Sequence, residues 1–204
     1  LRYASEKKIV DITYDDLSKI EHPDLIILCT PISAYLEIIK KILKPIKKKT
    51  ILTDIGSSKG KPYLKIKTML SKSKIEFLSS HPMVGSEKSG IKHNKNKMYK
   101  NKIVFILDKN TVTKSVYNKV NCFWMSIGSE THEIDQSKHD ELMAQTSHIS
   151  HLMSYIFMNA LPQSIIDNNL SLLLGGGIKE HVRLSKSDPK MWSDIFINNN
   201  KNIK

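Results

Sequence analysis

Four short strand patterns, separated by helical ones, limit what this chain can fold into. Leu25 to Cys29 is continuously apolar and is ended by Thr30-Pro31. Thr50 to Asp54 reads as a second buried strand, Glu76 to Ser79 as a third strand and Ile103 to Leu107 as a fourth. The continuous apolar run of the first predicts a strand buried on both faces. Between the first two, Ser33 to Leu43 has helical spacing, with Tyr35, Leu36, Ile39 and Leu43 on one side and Pro45 as the stop. A second helix is entered near Pro62. A third is expected from about Thr111 to Met125, with Val112, Val116, Val120, Phe123 and Trp124 as its apolar stripe and Gly128 closing it. Glu130 to Ile134 gives a last short strand. This alternation predicts a mostly parallel sheet with crossover helices.

The character changes at Asp135. A long helical segment runs to about Ala160 and breaks at Pro162. Helical pieces around Leu170 to Leu174, a loop at Gly175-Gly176-Gly177, and a helix begun by Asp188-Pro189 follow, with Asp as N-cap and Pro in the first turn. Residues 1–134 therefore read as an α/β domain and residues 135–204 as an all-α one. The polar tail from Asn198 to Lys204 is expected to fray.

Composition narrows the function classes. With 204 residues, 40% hydrophobic and 25% charged, the chain suits a soluble protein with a sizeable core. Its net charge of +12 comes from scattered lysines with few aromatics between them, which reads as solvated faces and not as a nucleic-acid surface. No apolar run reaches the ~20 residues that span a bilayer, and no membrane partner is expected. The start lacks the apolar core of a signal peptide. Cys29 and Cys122 sit in apolar segments and read as buried thiols in a reducing cytoplasm, the expected location.

The densest cluster of reactive groups is Ser79-Ser80-His81-Pro82-Met83-Val84-Gly85-Ser86-Glu87-Lys88-Ser89-Gly90. It places an imidazole at a strand end beside groups able to bind an anion, where α/β enzymes keep their chemistry. Taken alone, His81 reads as an imidazole satisfied by backbone at a strand end. The turn Asp54-Ile55-Gly56-Ser57-Ser58-Lys59-Gly60 offers hydroxyls and Lys59 to an anion or a cofactor edge, or is an ordinary strand-to-helix turn. His148 and His151 share a helix face, but no further ligand stands at zinc-site spacing, so no metal is expected. His139 reads as a surface or helix-start residue. Arg183, after the glycine triplet, could fork onto a carboxylate or lie on a mixed-charge surface helix. Trp192 reads as core. The eight glycines, at 56, 60, 85, 90, 128 and 175 to 177, form no G-x-G-x-x-G loop.

The order of these motifs is more specific than any one of them. From Asp24 to Asn198 the chain resembles the prephenate dehydrogenase family, which includes arogenate and cyclohexadienyl dehydrogenases. The resemblance rests on Asp24 to Pro31, Asp54 to Gly60, Ser80 to Gly90, Ser147-His148-Ile149-Ser150-His151, Gly175 to Arg183 and Lys186 to Trp192. It implies a Rossmann-type nucleotide-binding domain, N-terminally truncated, followed by an all-α dimerisation domain. Members open with a strand, a glycine-rich loop and a helix that would lie before Leu1, and they continue past Lys204, so the chain is expected to be a fragment. The implied reaction is the oxidative decarboxylation of prephenate to 4-hydroxyphenylpyruvate with NAD or NADP, in a homodimer; arogenate is the alternative substrate, and an inactive binding module the alternative class. By the same resemblance His81 accepts the proton of the substrate hydroxyl. Ser57 would orient His81 and touch substrate and nicotinamide. Arg183 would bind a carboxylate with His151 beside it. Ser86, Glu87 and Lys179 would form a polar gate, Gly176 and Trp192 a wall, and Thr30 and Pro31 would face the nicotinamide. His148 takes a supporting role.

Overall fold

A computed structural model describes residues 1–85, 90–93, 97–162 and 175–204. Two three-stranded sheets are joined by one extended segment. In the first, β1 (Leu25–Leu28), β2 (Thr50–Asp54) and β3 (Ile75–Phe77) are parallel, with β2 in the middle. In the second, β4 (Ser80–Pro82) runs antiparallel to β5 (Ile103–Leu107), and β5 is parallel to β6 (Glu130–Ile134). The expected third strand is thus split. Leu78 still donates to Leu52 of the first sheet, while the carbonyl of the next residue, Ser79, already accepts from Leu107 of the second. That handover puts His81 on β4, opposite Phe105.

Short helices precede the sheet: α1 (Arg2–Glu6) and a 3-10 turn at Leu17–Lys19. Helices α2 (Tyr35–Leu43) and α3 (Gly60–Leu70) cover one face of the sheet, and α4 (Lys114–Ser126) covers the other. Strand alternation feeds both: Leu52 points into the core with Ile39, Ile42 and Ile66, whereas its neighbour Ile51 packs with Val104, Ile106, Val120 and Trp124. Each such aliphatic side chain contributes about 1.5–3 kcal/mol on leaving water. β2 is buried throughout, as expected of it. β1 departs from that expectation, with only Leu28 buried, because β2 is its single described neighbour. Cys29, just beyond β1, and Cys122, on the outer side of α4, are exposed thiols and not buried ones. An apolar sequence neighbourhood does not bury the residue that leaves the sheet or faces outward on a helix.

Beyond β6 the chain is helical. A continuous rod comprises α5 (Gln136–Met143), a π-helical turn at Ala144–His148 and α6 (Ile149–Ala160). Leu161 is extended, as expected of a residue before proline. α7 (Gly176–Ser185) takes in two glycines of the expected loop. The earlier pieces around Leu170 lie outside the described residues. Asp188 caps α8 (Pro189–Asn198) by accepting from Lys190 N–H. The tail does not fray: α9 (Asn200–Ile203) follows, and buried Asn199 donates to the Asp140 carbonyl at 2.7 Å.

The helical unit is tied to the sheet where α3 begins. Asp140 on α5 accepts from the Lys59 and Gly60 N–H groups at 3.0 and 2.8 Å. A carboxylate there suits both the orphan donors and the dipole of the helix N-terminus. Gly60 has φ +44°, and a Cβ on it would come within 2.1 Å of the Asn198 carbonyl oxygen. Only glycine fits that junction.

Candidate active site

A polar network lies beneath β4. Asp54, at the end of β2, accepts from Ser79 Oγ at 2.6 Å, Lys59 Nζ at 2.8 Å and Gly56 N at 3.0 Å. Lys59 Nζ also donates to the Ser80 carbonyl at 2.8 Å. Lys59 is therefore not offered to a ligand; it is buried in an ion pair that pins the Ile55–Lys59 turn to β4. Burial lowers its pKa, opposed by Asp54. Trp124 Nε1 donates to Ser80 Oγ at 3.1 Å, so α4 braces the same strand from the other side.

His81 is held on this platform. It is buried, and its Nδ1 lies 2.8 Å from Nε2 of His139 on α5. His139, expected at the surface or at a helix start, lies near the start of α5 but is 0% exposed, set edge-on to both His81 and Phe105. Its own Nδ1 lies 3.0 Å from Asp140 Oδ1. Ser57 was expected to orient His81, but among the described hydrogen bonds its hydroxyl makes none to that ring; His139 supplies the contact. The turn lifts Ser57 toward His148 instead, and its backbone carbonyl lies against that ring. Burial, then the charges of Lys59, His139 and His148, hold His81 well below the ordinary imidazole value. Burial lowers His139 as well, partly offset by Asp140. Both rings are neutral near pH 7.

The π-turn carries the next residue inward, a common role for such turns. His148 is buried, its Nδ1 accepts from Asn199 Nδ2 at 3.0 Å, and burial lowers its pKa to about 4. Trp192 on α8 stands edge-on to His148 and stacks on His151 with 3.6 Å between ring centroids. Its Nε1 is buried with no partner among the described residues. Arg183 lies near enough to His151 for its charge to lower that imidazole, adding to burial. Its guanidinium is paired with Glu180 at 2.8 Å on an exposed face, a pair weak enough to exchange for a ligand carboxylate. Lys179 and Gly176 are exposed on the same helix, α7. Thr30 and Pro31 are exposed at the carboxyl end of β1. Ser86 and Glu87 lie outside the described residues. His81, His148, Trp192, His151 and Arg183 thus follow one another as neighbours between β4 and the helical unit. Among the described residues no three His, Cys, Asp or Glu side chains converge as metal ligands.

Two signals missed in the sequence are His139 and Asp140. Adjacent on a helix, they resemble an ordinary polar first turn. Only the 58-residue separation between His81 and His139, closed by the fold, gives them a role.

Comparison with known proteins places this geometry. A prephenate dehydrogenase from Lactococcus lactis subsp. cremoris is 24% identical over 198 residues, covering 96% of this chain and 54% of its own length. A cyclohexadienyl dehydrogenase from Zymomonas mobilis is 22% identical, covering 93% of this chain and 64% of its own. The chain spans about half the length of the curated relatives from Lactococcus lactis and Bacillus subtilis, 54% and 51%. Among solved structures, prephenate dehydrogenase from A. aeolicus in complex with hydroxyphenyl propionate and NAD+ superposes with a TM-score of 0.87 at 29% identity, over 99% of this chain and 71% of that one. Synechocystis arogenate dehydrogenase shares the fold, with a TM-score of 0.78 at 20% identity, over 99% of this chain and 72% of that one. The family description "Prephenate dehydrogenase, nucleotide-binding domain" matches residues 2–133, and "Prephenate dehydrogenase, dimerization domain" matches residues 135–204. With both domains matched in order along nearly its whole length, this chain belongs to the prephenate dehydrogenase family.

Proposed function

We propose that this chain carries the catalytic half of an NAD(P)-dependent dehydrogenase that converts prephenate to 4-hydroxyphenylpyruvate in tyrosine biosynthesis. The observation that carries the proposal is His81: a buried, neutral imidazole with one nitrogen anchored to His139 and the other without a hydrogen-bond partner among the described residues, free there to act as a base. Oxidising a ring carbinol needs such a base on the hydroxyl. The O–H electron pair becomes the second C–O bond while hydride leaves the same carbon. Loss of carbon dioxide then sends the C–C pair into the ring. The resulting phenol oxygen recovers a proton, so no net proton is released.

A bound nicotinamide cofactor supplies the hydride acceptor. The residues described fit its nicotinamide end: Thr30 and Pro31 stand open at the carboxyl end of β1, where α/β sheets bind such ligands. They hold no cradle for the phosphates. The space beside Gly56 is already filled by Asp54, Ile32 and Tyr35. On the substrate side, Arg183 exchanges Glu180 for a carboxylate, supported by Lys179 one helical turn away. Trp192 and His151 form a flat wall against the ring, with Gly176 nearby at the start of α7. Ser57 faces substrate and nicotinamide from the turn after β2. The family resemblance alone assigns Ser86 and Glu87, outside the described residues, to the polar gate. A second copy covers Ile149, Met153 and Ile156, an exposed stripe at i, i+4 and i+7 on α6 that is 37%, 53% and 54% exposed.

The test is NAD(P)H formation by the purified chain, with each cofactor, on prephenate and on arogenate. Turnover of prephenate supports the proposal. Turnover of arogenate alone moves the assignment to that substrate. Turnover of neither, by a folded preparation that binds cofactor, overturns it.

A further inference from the structure

Behind His81, three buried side chains are joined in line by two hydrogen bonds, His81 Nδ1 to His139 Nε2 and His139 Nδ1 to Asp140 Oδ1. The direction of each bond follows from Asp140. Its Oδ1 accepts from Lys59 N–H; its Oδ2 accepts from Gly60 N–H at 2.8 Å and from Gln136 Nε2 at 2.6 Å. Backbone N–H groups only donate, so these oxygens are acceptors. The donors around it hold the carboxyl below the usual range even though burial opposes them. A carboxylate has no proton to give, so His139 Nδ1 donates. A neutral imidazole has one N–H, so His139 Nε2 is bare and accepts from His81 Nδ1. His81 has then spent its single N–H, and its Nε2 is bare.

We propose that His139 and Asp140 are positioning residues that lock His81 in the Nδ1–H tautomer, so that a bare Nε2 faces the substrate hydroxyl. This rests on the reading of His81 as the proton acceptor. In the opposite tautomer, Nε2–H would meet the substrate O–H donor to donor, and no proton could be taken. The same line can carry the charge away. When Nε2 is protonated, the His81 Nδ1–H bond breaks as a His139 Nε2–H bond forms, and the positive charge moves next to Asp140. Asp140 and Asp54 face His139 and favour that state; Lys59, facing both rings, and His148, facing His81, oppose it.

The test is the tautomer itself. In the full chain labelled with 15N-histidine, long-range 1H–15N correlation near neutral pH reads which ring nitrogen carries the proton. His81→Asn identifies the His81 signals by their loss. The expected result is His81 protonated at Nδ1 and bare at Nε2. His81 in the Nε2–H form, or averaging between the two, overturns the proposal. Asp140 also holds the start of α3, so variants are better made at His139. His139→Phe removes the acceptor, and the Nε2–H form should become visible, with turnover down about a hundredfold and KM within about twofold. His139→Gln retains an acceptor oxygen and should keep both the tautomer and most of the turnover. A folded His139→Phe protein with the wild-type tautomer and turnover overturns the proposal; if that variant does not fold, the wild-type spectrum decides. Failure of the unsubstituted chain, folded and with cofactor bound, to oxidise either substrate sinks the dehydrogenase reading and leaves the spectrum's answer intact.

Discussion

The indole of Trp192 lies flat on the imidazole of His151, with ring centroids 3.6 Å apart and planes 17° apart. The stack joins α8 to α6 and forms one wall of the candidate site. Trp192→Ala should lower stability by about 3–5 kcal/mol, the range for deleting a buried aromatic. It should also raise the KM for prephenate. Trp192→Phe preserves a stacking ring and breaks no hydrogen bond among the described residues, since Nε1 has no partner there. Urea unfolding of both variants checks this; equal losses would show that the stack itself contributes little.

The Asp54–Lys59 pair is buried on both sides, so its partners cannot be removed singly without cost. Asp54→Asn strands the Lys59 ammonium and should destabilise by about 3–5 kcal/mol. A double replacement, Asp54→Asn with Lys59→Met, should recover part of that loss. Thermal unfolding of the single and double variants measures the recovery, and strict additivity would contradict the pairing argument.

Part of the sheet was legible because Leu25–Leu28 and Ile103–Leu107 are continuous apolar runs, the pattern that burial in a parallel sheet favours. Asp188-Pro189 was legible because helix starts have local chemistry. What escaped depends on distance in sequence. His139 looks like any polar helix residue until β4 brings His81 against it, and Lys59 looks like a ligand until Asp54 and Ser80 enclose it. Cys29 misled in the opposite direction, because an apolar run does not say which residue has already left the sheet.

Stability should fall on mild acidification. Unfolded His148 takes up a proton near its ordinary value of 6.5, while the folded ring resists until about pH 4. Protons therefore favour the unfolded chain across that window, by on the order of 3 kcal/mol at its lower end. His81 and His139 are lowered too and act in the same direction. The His148 contribution is set by burial, by Asp140, His139 and His151, and by the Ser57 carbonyl. Urea midpoints should drop steadily from about pH 6.5 to about pH 4. A His148→Gln variant should show a shallower slope, and a midpoint independent of pH would contradict these lowered values.

The exposed stripe on α6 predicts association. Met153→Glu with Ile156→Glu places two charges on the surface assigned to a second copy. Sedimentation velocity should show a dimer for the unsubstituted chain and a monomer for the variant. A monomer in both cases removes the stripe from that role.

The central claim is that His81 takes the proton of the substrate hydroxyl, and His81→Asn tests it most directly. The steady-state rate of NAD(P)H formation from prephenate should fall about a hundredfold to ten-thousandfold, with KM changed little, because a base acts in the transition state more than in binding. A folded His81→Asn protein that turns over prephenate at the unsubstituted rate would contradict the account.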